Sequence, residues 1–149
     1  MRWSLHDAGR RADLKDRLAR LRPDATARWG RMSVDQMLWH LATVLSAATG
    51  RIDVPRQPSF FKRYLFKWVA LYGPYPKGKA PTAPPFNARD RRFDFDAEGA
   101  RLIELIDAMG AKPVDDAWPQ HPAFGALSGR QWTHLQARHV DHHLKQFGV

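Results

Sequence analysis

The segment HVDHHLKQFGV at 139–149 gathers three imidazoles, His139, His142 and His143, within five residues. His139 and His143 stand four apart. On a helix turning about 100° per residue they lie about 40° apart, close enough for two ring nitrogens to meet one metal ion without bending the backbone. Trp132 and Gln146 fall within about 20° of His139, and Leu135 within about 40°, so the pair shares a stripe with bulky core-type residues. His142 lies about 60° off that line and, at i, i+3 from His139, competes with His143 for the same role. His134 lies about 140° away. Tight divalent sites usually take three or four protein ligands. His40 offers the third, because it shares a helical stripe with Met37, Val44 and Ala47. A neutral histidine on such a buried face must find a partner. Spacing alone leaves two readings standing: a three-histidine metal site with an open coordination position, or satisfied core histidines. His6, His121 and His134 read as loop or surface residues, and Asp141 as a solvated charge pointing away from the stripe.

These side chains need helices to carry them. Residues 10–22, RRADLKDRLARLR, place Leu14, Leu18 and Leu21 at helical spacing, with Pro23 at or past the end. The segment RMSVDQMLWHLATVLSAATG predicts a helix over 34–49, opened by the capping box Ser33-x-x-Gln36 and stopped at Gly50. Residues 59–72, SFFKRYLFKWVALY, read as an aromatic, basic helix. GPYPKGKAPTAPPFN then allows neither a regular helix nor a central strand and predicts a long loop. DFDAEGARLIELIDAMG predicts a helix acidic at its start, with Gly110 just past its end. Ser128-x-x-Gln131, a second capping box, opens the helix that runs to Phe147 and stops at Gly148. Period-2 alternation and solenoid repeats are missing from the pattern. The expectation is one all-α domain over 1–149, a four-helix bundle with a shorter extra helix and a long Pro-rich loop.

Composition narrows the chemistry. The chain of 149 residues has no cysteine, which excludes disulfides, thiolate metal ligands and a cysteine nucleophile. Six Trp and eight Phe supply core volume. Neither an apolar leader nor a run long enough to span a bilayer stands out, so the expectation is a cytoplasmic protein without a membrane role. The net charge of +9 is uneven: residues 1–95 carry 19 Lys and Arg against 8 acidic residues, and 96–149 carry 5 against 7. The basic surplus therefore lies away from the histidine segment. With no finger, RNP-like strand or long basic block, it reads as a solvated surface and not as a specific nucleic-acid site.

Three pieces, WGRMSVDQMLWHL, HPAFGALSGRQW and HVDHHLKQFGV, resemble the DinB superfamily, also described as YfiT-like metal-dependent hydrolases, and within it a small branch of unassigned function. With the helical framework the resemblance covers nearly the whole chain. The superfamily pattern has one histidine in the second helix, then H-x-x-x-H with a basic step and Gln in the last. It falls here on His40, on His139 and His143, and on HLKQ at 143–146, which favours His143 over His142. The resemblance implies a four-helix bundle, often a homodimer, and a three-histidine site for Zn²⁺ or Ni²⁺. It carries no single reaction, since relatives are linked to thiol-dependent transfer and isomerisation, to hydrolysis and to damage-inducible genes.

Such a site activates either water, as in a hydrolase, or a low-molecular-weight thiol, as in a transferase, against a small-molecule substrate. His142 and His121 are the candidate proton carriers, and Gln146 the candidate for orienting a ligand. Trp118, Phe124 and Trp132 are the candidate pocket walls. A reading of another class stays beside this one: a non-catalytic, dimeric metal-binding or partner-binding module, presenting Phe60, Phe61, Tyr64, Trp68 and Tyr72 from the aromatic helix.

Overall fold

The computed structural model describes residues 3–55, 60–75, 77 and 84–149, with side chains outside 60–65. Phe60, Phe61 and Tyr64 therefore lie outside the described side chains, as does much of the Pro-rich segment. Five α-helices follow in order: α1 (Ala8–Ala19), α2 (Val34–Ala48), α3 (Phe60–Tyr72), α4 (Phe95–Ala111) and α5 (Gly129–Gln146). A 3₁₀ turn, Pro84–Phe86, stands between α3 and α4. The described residues contain no strand, only an isolated pairing of His121 with Gly125. The fold is all-α.

Each start has a local cause. The Asp7 carboxylate accepts the Arg10 N–H at 2.7 Å and Asp94 accepts that of Ala97 at 2.8 Å. Gln36 reaches back to the Ser33 N–H at 3.0 Å. At α5 the box is reciprocal: the Ser128 hydroxyl accepts from Gln131 N–H, and the Gln131 side chain accepts from Ser128 N–H. Each bond satisfies a donor that the first helical turn leaves open.

α2 is the central element, buried along nearly its whole length. It packs along α4, whose Leu102, Leu105, Ile106 and Met109 are fully buried against Leu38, Leu41 and Leu45. α1 adds Leu14 and Leu18, α5 adds Trp132, Leu135, Val140 and Leu144, and α3 adds Leu71.

Three expectations are corrected. α4 runs through Gly110 to Ala111. Gly110 serves close packing and not helix termination, since a Cβ there would stand 2.6 Å from the Arg11 side chain and 2.7 Å from the Leu5 carbonyl. Asp141 is buried and not solvated: it bonds Arg17 and Lys145, each at 2.8 Å. His134 is also buried. It spans the carbonyls of Trp3 and, at 2.8 Å, Leu71. The reason is common to both residues. α5 touches α1, α2 and α3, so faces turned away from its apolar stripe are covered too.

The Arg17–Asp141 pair yields a test. Among the described residues, Asp141→Ala leaves the buried guanidinium only the Val149 carbonyl and the more distant Asp13 carboxylate. The expected loss of unfolding free energy, read by urea titration without added metal, is about 3–5 kcal/mol. Asp24→Ala, at the exposed Arg22–Asp24 pair, should leave the midpoint where it is.

Candidate metal centre

His40 stands two turns into α2, and His139 and His143 stand one turn apart on α5. The packing of α2 on α5 brings them together. His139 Nε2 lies 3.2 Å from His40 Nε2 and 3.1 Å from His143 Nε2. The three ligand atoms fall within 4.8 Å of one another. His40 and His143 are buried and His139 is half-buried.

The other ring nitrogens decide the proton positions. His40 Nδ1 faces the Phe86 carbonyl at 2.9 Å, and a carbonyl only accepts, so His40 carries its proton on Nδ1. His143 Nδ1 lies 2.7 Å from Gln146 Oε1. The Gln146 amide cannot be reversed, because its Nε2 donates to the Trp29 carbonyl at 2.6 Å. His143 therefore also carries its proton on Nδ1. His139 Nδ1 makes a longer bond, 3.4 Å, to Gln136 Oε1. Gly30 makes room for the Gln146 amide: its φ is +81°, and a Cβ there would stand 2.7 Å from Gln146 Nε2.

With Nδ1–H committed at His40 and His143, their Nε2 lone pairs both face His139 Nε2. One proton can bridge only one pair of them; a cation at their centre meets all three. Separations of 3.1–3.2 Å suit this, since nitrogens about 2.1 Å from a tetrahedral ion lie about 3.4 Å apart. Burial holds His143 down to about 3 and His139 well below the usual imidazole range, with the neighbouring histidines adding repulsion. Burial also lowers His40, against the Phe86 bond that favours its charged form. All three rings are thus neutral near pH 7 and able to ligate. The donor set fits a divalent transition metal.

His142 lies outside the cluster, packed between Trp29 at 5.7 Å and Tyr75 at 5.0 Å between ring centroids. His121 is held between Phe124 (4.3 Å) and Trp132 (5.0 Å). The Trp132 N–H donates to the Pro119 carbonyl. Trp118 packs at the other end of α5, where a Cβ on Gly129 would stand 2.4 Å from its Nε1. Gly129 is ten residues from His139, about 15 Å along the axis. Gln146 holds His143 directly.

Sequence reasoning missed four partners: Gln136, Tyr75, and the carbonyls of Phe86 and Trp29. Gln136 was findable, since Gln136-x-x-His139 mirrors His143-x-x-Gln146. Tyr75, from the Pro-rich segment, stacks on His139 at 6.3 Å under the Arg138 guanidinium. Burial pushes its phenol up to about 12. Tyr75, Tyr72, His142 and Arg138 line a cavity of about 420 Å³ on this side of α5.

His121 gives a pH test with a definite sign. Burial, with the Lys67 charge, lowers it from 6.5 to about 4. Between these values the unfolded chain holds a proton that the folded chain refuses, so stability is full above about pH 6.5 and falls as pH drops toward 4. From pH 7 to pH 5 the wild type should lose about 1–2 kcal/mol more than His121→Phe, by urea titration of metal-free protein. Parallel loss in both proteins would show that His121 is not held neutral.

Nothing among the curated proteins or the solved structures matches this chain. One family model does, described as "Protein of unknown function (DUF1569)", over residues 6–148. That match takes in all five helices and all three clustered histidines, and the chain accordingly belongs to the DUF1569 family.

Proposed function

We propose that this protein is a metal-dependent enzyme of the DinB or YfiT-like type, holding Zn²⁺ or Ni²⁺ on His40, His139 and His143 and acting on a small molecule. One observation carries the reading: His139 Nε2 lies 3.1–3.2 Å from the Nε2 atoms of His40 and His143, while carbonyl oxygens accept the Nδ1–H of those two rings. A divalent ion held by these three residues would supply Lewis acidity to a water or thiol bound beside them. The chain's own part is positional. The Trp29 carbonyl fixes the Gln146 amide, which fixes the His143 tautomer. Phe86 does the same for His40. Tyr75, His142 and Trp29 cover the cluster with aromatic surface, which lowers the local dielectric and strengthens charge interactions inside.

Metal content separates these roles. His40→Ala, His139→Ala and His143→Ala should each lower metal stoichiometry sharply, measured on protein purified without a His tag. Gln146→Leu should keep the ligands but weaken affinity about 10–100-fold. His142→Ala should retain full metal. Full metal in His40→Ala with loss in His142→Ala would show the ligand set to be wrong. The metal-loaded protein is then screened with thiols paired with electrophiles, beside esters and amides. Turnover needing thiol and metal selects a transferase, and turnover needing only water and metal selects a hydrolase.

A second reading, a dimeric metal-binding module without catalysis, is favoured by the surface of α3. Phe66, Trp68, Val69 and Tyr72 are 41–55% exposed on one helix, the kind of residues that interfaces cover. The expected result is a homodimer by light scattering, broken to monomer by Trp68→Glu. Monomer alone at micromolar concentration would remove it.

A further inference from the structure

We infer that the cavity beside α5 is a binding site for a small aromatic carboxylate, with the Arg138 guanidinium as its counter-charge. None of the three clustered histidines lines it, so the inference stands apart from the metal reading above.

One face of α5 supplies most of the site. His134, Arg138, Asp141, His142 and Lys145 follow at i, i+4, i+7, i+8 and i+11, on one stripe about 100° wide. All five line the cavity of about 420 Å³, and Trp3, Tyr72 and Tyr75 stand opposite them as further walls. The volume is ample for one substituted ring, since about 150 Å³ already takes benzene.

Charge sets the sign of the ligand. Arg138 has no carboxylate partner among the described residues. It donates only to two backbone carbonyls, Ala70 at 3.1 Å and Gly73. A guanidinium has more N–H donors than these two carbonyls use. Asp141, the one carboxylate on the stripe, does not cancel this charge, because Arg17 and Lys145 both hold it at 2.8 Å. The wall therefore carries a surplus of positive charge. Arg138 is also held in place, tied to the end of α3 by the two carbonyls and lying 5.2 Å over the Tyr75 ring.

Ring surfaces set the ligand's shape. Tyr72 packs on His134 with centroids 5.3 Å apart, and Tyr75 packs on His142 at 5.0 Å. His134 stands one turn before Arg138 and His142 one turn after it, so aromatic pairs flank the cation along the helix. Trp3 and Tyr72 keep open ring surface, at 38% and 54% exposure. A flat ring gains stacking contact on such walls. A carboxylate matches the planar fork of the guanidinium. Inorganic phosphate would meet the same cation and leave the rings wet, and a neutral ring would cover the walls and leave the guanidinium without its anion.

The probe is benzoate, titrated into the protein as purified, with benzyl alcohol (ring without charge) and inorganic phosphate (charge without ring) beside it. Calorimetry reads affinity, and intermolecular NOEs read location. Benzoate should saturate with a Kd on the order of millimolar or below, at least about tenfold tighter than either control, with NOEs to the Tyr75 and His142 rings. Arg138→Gln should weaken benzoate about tenfold, the worth of one hydrogen bond to a charged group, and change benzyl alcohol by less than about twofold. Lys145→Met, at a side chain 59% exposed, should weaken benzoate about two- to fivefold with the fold intact, and it decides the matter if Arg138→Gln does not fold. No saturation by benzoate, phosphate binding as tightly, or benzoate affinity unchanged in the folded variants overturns the inference. NOEs confined to His139 and His143 would place benzoate at the metal centre and overturn it as well.

Discussion

A carbonyl oxygen accepts hydrogen bonds and never donates one. At His40 and His143 this constraint fixes the tautomer, because each Nδ1 faces a carbonyl oxygen, that of the Phe86 backbone and that of the anchored Gln146 side chain. The proton of these two rings is drawn outward, and their lone pairs are left pointing toward His139 Nε2. Had any of these partners been a donor, the ring would turn its proton toward the cluster and the convergence would be lost. The Gln146 link shows how far the constraint reaches. Its amide orientation is imposed by Trp29, whose carbonyl approaches only because Gly30 has no side chain and adopts φ +81°. The segment before α2 thus controls a tautomer on α5.

Acceptors face the outer nitrogens of the three rings, and the Nε2 atoms face one another. Burial keeps the imidazoles uncharged throughout. A cluster of neutral rings is a poor place for a proton and a good one for a cation that replaces it, since the histidines then gain ligation without first shedding charge.

The histidine geometry was legible because it is local. The i, i+4 interval fixes His139 and His143 whatever surrounds them, and the apolar stripe of α2 marks His40 as inward-facing. Gln146 was visible through its spacing from His143. The Phe86 carbonyl was not, because it comes from a 3₁₀ turn inside a Pro-rich segment where side-chain pattern says nothing of backbone direction. Asp141 and His134 were misread for another reason. A helical wheel divides residues relative to one stripe and presumes the opposite face is wet. α5 has neighbours on several sides, and only the fold reveals that Arg17 waits opposite Asp141, and Leu71 and Trp3 opposite His134.

That burial has a use. Of the buried residues of α5, Thr133, His134, Gln136, Asp141, His143 and Gln146 are polar, an expensive set to remove from water unless each is paired. Four of them pair with other segments, and Gln136 and His143 pair with neighbours on α5 itself. Thr133 takes the Ser4 hydroxyl, His134 the carbonyls before α1 and in α3, Asp141 the guanidinium on α1, and Gln146 the Trp29 carbonyl. An apolar stripe alone tolerates small rotations, because dispersion and area burial change little over a few degrees. Hydrogen bonds on several faces do not, since each degrades when its angle does. A metal site needs its nitrogens held to within about half an ångström. A helix pinned by directional bonds around its circumference meets that demand better than one held by packing alone, which accounts for polar groups at positions where leucine would have filled the space.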